Sequence, residues 1–179
     1  IELEPIRPGD TLDTLLSGRS GEETIVTVRR SVGGEDVALD LLMTPISSGE
    51  ERGLRYDDWQ LTNAAKVAEW SNGRLGYLHI RSMGGPDLNE YERDLYAAAY
   101  GKDGLLIDVR SNGGGWTTDR VLASLMYPEH AYTIPRGADP VSGRGYPRDR
   151  LYIQRYNGPV NMLCNEKSFS NAEIISHAF

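Results

Sequence analysis

Asn165-Glu-Lys-Ser-Phe-Ser-Asn-Ala-Glu-Ile-Ile175 decides how the rest of the chain is read. The apolar run Val160 to Leu163 before it predicts a buried strand. Ile174, Ile175, Ala178 and Phe179 are spaced for the inner face of a following helix. A serine at such a strand-to-helix turn presents its hydroxyl, and the first N–H groups of the helix have no partner within it. The attacking oxygen and the donors for an oxyanion then come from adjacent residues, as acyl transfer requires. The same residues also fit a capping box, with Ser170 at N-cap and Glu173 at N3. From this stretch alone both readings stand.

The 179 residues suffice for one domain or two small ones. A formal net charge of -7, without any basic run or basic aromatic patch, argues against a nucleic-acid binder. No apolar run reaches the length of a membrane span, and the first residues do not read as a signal peptide. Ile1 begins without cap or leader, as if the chain were cut there. The single cysteine, Cys164, excludes an intrachain disulfide and a cysteine-rich metal site. Its apolar neighbours Met162 and Leu163 predict a buried structural thiol. His79, His130 and His177 lie far apart without ligand spacing, so no metal site is legible.

Along the chain, Asp10 or Thr11 can cap a short helix through Leu12, Leu15 and Leu16. Thr24 to Arg30 and Val37 to Met43 alternate around Gly33-Gly34, the pattern of a hairpin. Ser47 to Gly53 is polar and reads as a linker. Trp59 to Trp70 predicts a helix with Leu61, Ala65 and Ala68 inward. Arg74 to Ile80 is apolar on both faces, as a central strand would be. A helix capped by Asp87 and Glu90 follows, then a buried strand from Leu105. The next helix turns Val121, Leu122, Leu125 and Met126 inward and stops at Pro128. Ala131 to Arg150 reads as a long loop. Alternating strands and helices imply an α/β fold with a parallel sheet and right-handed crossovers. Both Gly113-Gly114-Gly115 and the serine turn then leave C-terminal strand ends, where α/β sites form.

Three glycines let the backbone approach a ligand closely, although the spacing matches no phosphate-binding loop. Taken alone they also fit a tight turn without function. Beside Ser170 on a neighbouring strand end, they read as half of an oxyanion hole.

Gly104-Leu-Leu-Ile-Asp-Val-Arg-Ser-Asn-Gly-Gly-Gly115, together with Asn165 to Glu173, resembles the tricorn protease and C-terminal processing peptidase family, the S41-type serine peptidases. Gly76-Tyr-Leu-His-Ile80 resembles the first core strand of that family, and Leu54-Arg-Tyr-Asp-Asp-Trp59 the segment leaving its PDZ domain. The resemblance implies a ClpP/crotonase-like core with parallel strands in residues 47–179, preceded by a partial PDZ-like β-hairpin segment in residues 1–46. No carboxylate-binding loop is legible in that segment. Carried over by position, the nucleophile is Ser170, and the oxyanion donors are the N–H groups of Gly115 and Asn171. Gly114 and Thr133 are then the substrate-binding positions. Thr133 stands where tricorn-type members carry an aspartate that favours basic P1 residues, so that preference is expected to be lost.

The family takes its base from a histidine upstream of the PDZ domain or a lysine downstream of the serine helix, both beyond residues 1–179. Residues 1–179 by themselves are therefore expected to be inactive. His177 is seven positions past Ser170, about 10 Å along a helix, too far to serve. The implied chemistry uses no metal or organic cofactor and acts on peptides or unfolded protein. The resemblance further implies a homo-oligomer at full length. The sequence assigns no compartment, with the cytoplasm favoured over the periplasm. A non-catalytic peptide- or lipid-binding relative on the same core is the rival reading, and acyl-thioester chemistry on a crotonase-type core a third.

Overall fold

The computed structural model describes residues 1, 4–126, 131–132, 134–139, 149–150 and 155–179, with 131–132 and 149–150 as backbone only. They divide into two compact units, Ile1–Trp59 and Gln60–Phe179. In the first, Thr11 Oγ1 accepts the Thr14 N–H at 3.3 Å and caps the short helix α1, Leu12–Leu15. Strands β1 (Thr24–Val32) and β2 (Glu35–Met43) form the expected antiparallel hairpin. Gly33 and Gly34 both have positive φ (63° and 92°), which matches the turn to the twist of its strands. The register sets Val26 opposite Leu41 and Val28 opposite Leu39. That apolar face is nonetheless exposed at Val28, Val37, Leu39, Leu41 and Met43.

Helix α2 runs from Ser48 to Trp70, so the stretch read as a linker is helical. The signal for that helix start is Ser47-x-x-Glu50. The Glu50 carboxylate accepts from Ser47 N–H and Oγ at 2.7 Å each, and Ser47 Oγ accepts the Glu50 N–H at 3.2 Å. These contacts hold the Glu50 carboxyl below its ordinary value, the Ser47 hydroxyl contributing most. The inward face is also rotated from the expected one. Leu61 and Ala65 are exposed, whereas Gln60, Asn63, Ala64, Val67 and Ala68 are half-buried. Asn63 Nδ2 on that face donates to Tyr77 Oη at 3.4 Å.

In the second unit β3 (Leu75–His79), β4 (Gly104–Asp108) and β7 (Val160–Leu163) form a parallel sheet in the order β3-β4-β7. Among the described residues β4 is therefore the central strand and β3 an outer one. The two apolar faces of β3 thus do not mark a middle position. Helix α3 (Gly85–Ala99) follows β3, with Leu88, Tyr91 and Leu95 buried. Its cap is Gly84 without a side-chain bond, and Asp87 sits inside the first turn, so no Asp87–Glu90 capping box forms. Helix α4 (Thr118–Met126) buries Val121 and Ser124, while Met126 is exposed. Pro128 lies outside the described residues. The expected long loop starts and ends in a short antiparallel pair, β5 (Ala131–Tyr132) with β6 (Asp149–Arg150). Helix α5 (Asn171–Ala178) buries Ala172 and Ile175, whereas Ile174, Ala178 and Phe179 face out. Cys164 is exposed, because it lies just past the end of β7, where its apolar neighbours no longer enclose it.

The core gathers Leu78, Ile80, Met83, Leu105, Ile107 and Val109 from the strands and their extensions, with the buried faces of α3, α4 and α5 around them. No described helix is long and apolar enough to cross a membrane.

Candidate active site

The site grows from the C-terminal end of β4. Asp108 is fully buried, and its carboxylate accepts from the Arg110 backbone N–H (2.9 Å), the Arg110 guanidinium and Tyr77 Oη (2.7 Å). Burial opposes the charge, but Arg110 and Tyr77 together outweigh it and keep the Asp108 carboxyl below its ordinary value. Burial, then the Asp108 contact, pushes the Tyr77 hydroxyl upward. His79 Nε2 donates to the Arg110 carbonyl at 2.9 Å, and burial lowers its pKa. These bonds tether the chain at the point where it leaves the sheet.

Beyond the tether Ser111 takes a positive φ of 60° and the chain turns into the glycine run. Asn112, fully buried, holds that run. Its Nδ2 donates to the Ile80 carbonyl at 2.8 Å, and its Oδ1 accepts the Gly114 N–H at 2.8 Å. The Gly114 carbonyl in turn accepts from Met83 N–H (2.9 Å) and Ser82 Oγ (3.2 Å). A trans peptide points its N–H opposite to its C=O, so the Gly115 N–H is directed away from Met83. A Cβ on Gly115, at φ 150°, would collide with the Met83 carbonyl. A Cβ on Gly114 would stand 2.7 Å from both Ser170 Cβ and the Phe169 carbonyl oxygen, and 3.0 Å from Asn171 N. The glycine run and the serine turn abut at a spacing that leaves no room for a methyl group.

The serine turn is fixed with equal care. Asn165 Oδ1 accepts the backbone N–H groups of Ser111 (2.9 Å) and Lys167 (3.1 Å). Ser168 Oγ donates to the Val109 carbonyl at 2.8 Å and accepts the Asn165 N–H at 3.0 Å. Phe169 N–H donates to the Asn112 carbonyl at 2.9 Å. Ser170 has φ 55° and ψ -119°, a conformation that costs a non-glycine residue about 1–3 kcal/mol and persists only where its surroundings impose it. Glu173 imposes part of it by accepting the Ser170 N–H at 2.8 Å, the contact expected of a capping box. Thr118 holds the next residue, Asn171. Its Oγ1 donates to the Asn171 carbonyl at 2.8 Å, and its N–H donates to Asn171 Oδ1 at 3.2 Å.

Ser170, Gly114 and Asn171 are thus brought together, with Gly115 next in the chain. Among the described residues neither the Gly115 N–H nor the Asn171 N–H has an acceptor. Gly114 has both its N–H and its C=O engaged, so toward Ser170 it offers space and no donor. Trp116 and Phe169, flanking the glycine run and the serine, are 69% and 66% exposed. Thr133 and His130 lie outside the described residues. Asn112, Asn165, Ser168 and Thr118 escape a reading of the sequence, since each is an ordinary polar residue until a neighbouring segment meets it. The position of Asn112, directly before three glycines, is the one signal that marks it.

Residues 74–179 match peptidase family S41. The chain is 37% identical over 164 residues to tricorn protease homolog 1 of Streptomyces coelicolor, covering 92% of this chain and 14% of that protein. It is 31% identical to the tricorn protease of Thermoplasma volcanium over 98% of this chain and 16% of that protein. A crystal structure of the tricorn protease superposes with a TM-score of 0.69 at 29% identity, covering 99% of this chain and 16% of that chain. The chain therefore spans only about one-sixth of the length of these relatives. The similarity runs through the glycine run and the serine turn alike, and the chain belongs to peptidase family S41.

Proposed function

We propose that the full-length protein containing this chain is a serine peptidase of the tricorn type, acting on peptides or unfolded protein. The observation that carries this reading is the abutment of Gly114 on Ser170, with two N–H groups beside them that no described residue accepts from. Ser170 Oγ attacks the scissile carbonyl as a base takes its proton. The N–H groups of Gly115 and Asn171 hold the tetrahedral oxygen, a contribution worth about 2.7–4 kcal/mol per donor in comparable sites. Collapse expels the amine and leaves an acyl-enzyme, which water then hydrolyses.

As the resemblance to the family implies, the base is expected from outside residues 1–179. His79 is committed to the Arg110 carbonyl, and His177 sits on the last turn of α5, remote from Ser170. Residues 1–46 form the end of a PDZ-like domain, without a legible carboxylate-binding loop of their own, and residues 47–179 form part of the peptidase core. Thr133, without a negative charge, gives a P1 preference for small or apolar side chains over lysine and arginine, and Phe169 and Trp116 supply exposed apolar surface beside Ser170 and the glycine run. Hydrolysis of a fluorogenic peptide mixture by the full-length protein tests the reading. Ser170→Ala is expected to lower turnover by at least ~10³-fold, and residues 1–179 alone are expected to be inactive. Turnover indifferent to Ser170→Ala would end this reading.

A further inference from the structure

We infer that Asn112 is a positioning residue of the reaction, the group that aims the Gly115 N–H at the oxyanion. This rests on the peptidase reading above and extends it to a residue that touches neither substrate nor Ser170 Oγ. Three observations carry it. The Asn112 side chain is fully buried and both ends of its amide are used, Nδ2 on the Ile80 carbonyl and Oδ1 on the Gly114 N–H. Its own carbonyl accepts the Phe169 N–H, one residue before Ser170. One residue thus links the extension of β3, the glycine run and the serine turn.

The consequence for chemistry follows from the peptide that joins Gly114 to Gly115. Glycines at φ 91° and 150° have wide conformational freedom, so the backbone does not by itself choose where that peptide points. Met83 and Ser82 fix its carbonyl side. Asn112 fixes the preceding N–H, so the Gly114 N–H is consumed and the Gly115 N–H is the one left outward. Without the Asn112 amide, the Gly114 N–H and the Ile80 carbonyl are buried without partners, and a rotation of the loop is the cheapest relief. A misaimed oxyanion donor raises the barrier of the chemical step while leaving the binding of the ground state unchanged.

The donor–acceptor pattern also specifies which replacements work. A carboxylate at position 112 would still accept the Gly114 N–H but would set an acceptor in place of a donor against the Ile80 carbonyl, whereas a protonated carboxyl restores one donor and one acceptor in the same shape. Burial favours the protonated form. Asn112→Asp should therefore be impaired at neutral pH and recover on acidification.

The experiment is steady-state hydrolysis of a fluorogenic peptide by the full-length protein, comparing wild type, Asn112→Ala, Asn112→Asp and Ser170→Ala, with thermal unfolding followed for each. Asn112→Ala is expected to lower kcat by roughly 10- to 100-fold with KM within about threefold. If Asn112→Ala does not fold, Asn112→Asp carries the test. The ratio of its kcat to that of wild type should rise at least about fivefold from pH 8 to pH 5.5, because its carboxyl regains the donor on protonation. A flat ratio, or a kcat for Asn112→Ala equal to wild type while Ser170→Ala is inactive, would overturn the role of Asn112 and leave the peptidase reading intact. Turnover that survives Ser170→Ala would overturn both.

Discussion

Two glycine turns in this chain do opposite work. At the hairpin tip, Gly33 and Gly34 have open space where a Cβ would stand, and glycine serves there only for its positive φ. At residues 114 and 115, a Cβ would strike Ser170, Phe169 and Met83, and glycine serves for close approach as well. The polar surroundings differ in the same way. The hairpin leaves apolar side chains of both strands exposed, whereas the glycine run is held by bonds to Asn112, Met83 and Ser82. What separates a structural turn from a candidate catalytic one is thus the number of constraints on it, not its composition.

The sharpest way to break this contrast is Gly115→Ala. The added methyl must displace the Met83 carbonyl and take up a φ of 150°, so both the loop and the aim of the Gly115 N–H change. Peptide hydrolysis by the full-length protein should fall by about 100-fold or more. Activity near wild type would mean that the tight packing against Met83 has no catalytic meaning.

A second effect, about 2 kcal/mol, is expected in stability from Asp108→Ala, which strips the Arg110 guanidinium and Tyr77 hydroxyl of their shared acceptor. The figure sits below that for a fully buried pair because the Arg110 side chain is 35% exposed. The pH dependence has the same origin. Asp108 has a lowered folded pKa, so its contribution is complete above its ordinary value of 3.8 and is lost as pH falls through the folded value. His79, also lowered, contributes fully above its ordinary 6.5, and acid begins to erode that stability as soon as pH drops below it. Denaturant midpoints should fall in two stages on acidification, the upper stage vanishing in His79→Gln. A midpoint that rises between pH 7 and pH 5 would contradict the burial of neutral His79.

The smallest effect is expected at the hairpin. Gly33→Asn creates Asn-Gly in a two-residue turn whose first position has φ 63°, a conformation asparagine tolerates. Stability measured by chemical unfolding should change by no more than about 0.5 kcal/mol, with hydrolysis untouched. A large loss of either would show that the two turns are not so different.

Much of the architecture was legible because its causes are local. Alternation around Gly33-Gly34 encodes the hairpin, and the apolar runs before residues 80, 109 and 164 encode the three parallel strands. The start of α2 was hidden because Glu50, Glu51, Arg52 and Arg55 carry no apolar period, leaving only the Ser47–Glu50 cap as a signal. The inward faces of α2 and α5 are masked in the sequence because Leu61 and Ile174 are apolar yet face out. For the site, Ser170, Asn171 and the glycines were visible as a motif. Asn112, Ser168 and Thr118 were not, because their partners are 32 to 59 residues away in the chain. Long-range polar bonds leave no periodic trace in a sequence.

Covalent labelling of the full-length protein with a serine-directed fluorophosphonate, followed by peptide mass mapping, tests the central claim most directly. A single adduct on the peptide containing Ser170 is expected, abolished by Ser170→Ala and slowed by roughly 10-fold or more in Gly115→Ala, since the phosphonyl oxygen needs the same donors as an oxyanion. A protein that stays unlabelled, or labels on another residue with Ser170→Ala unaffected, would contradict the account.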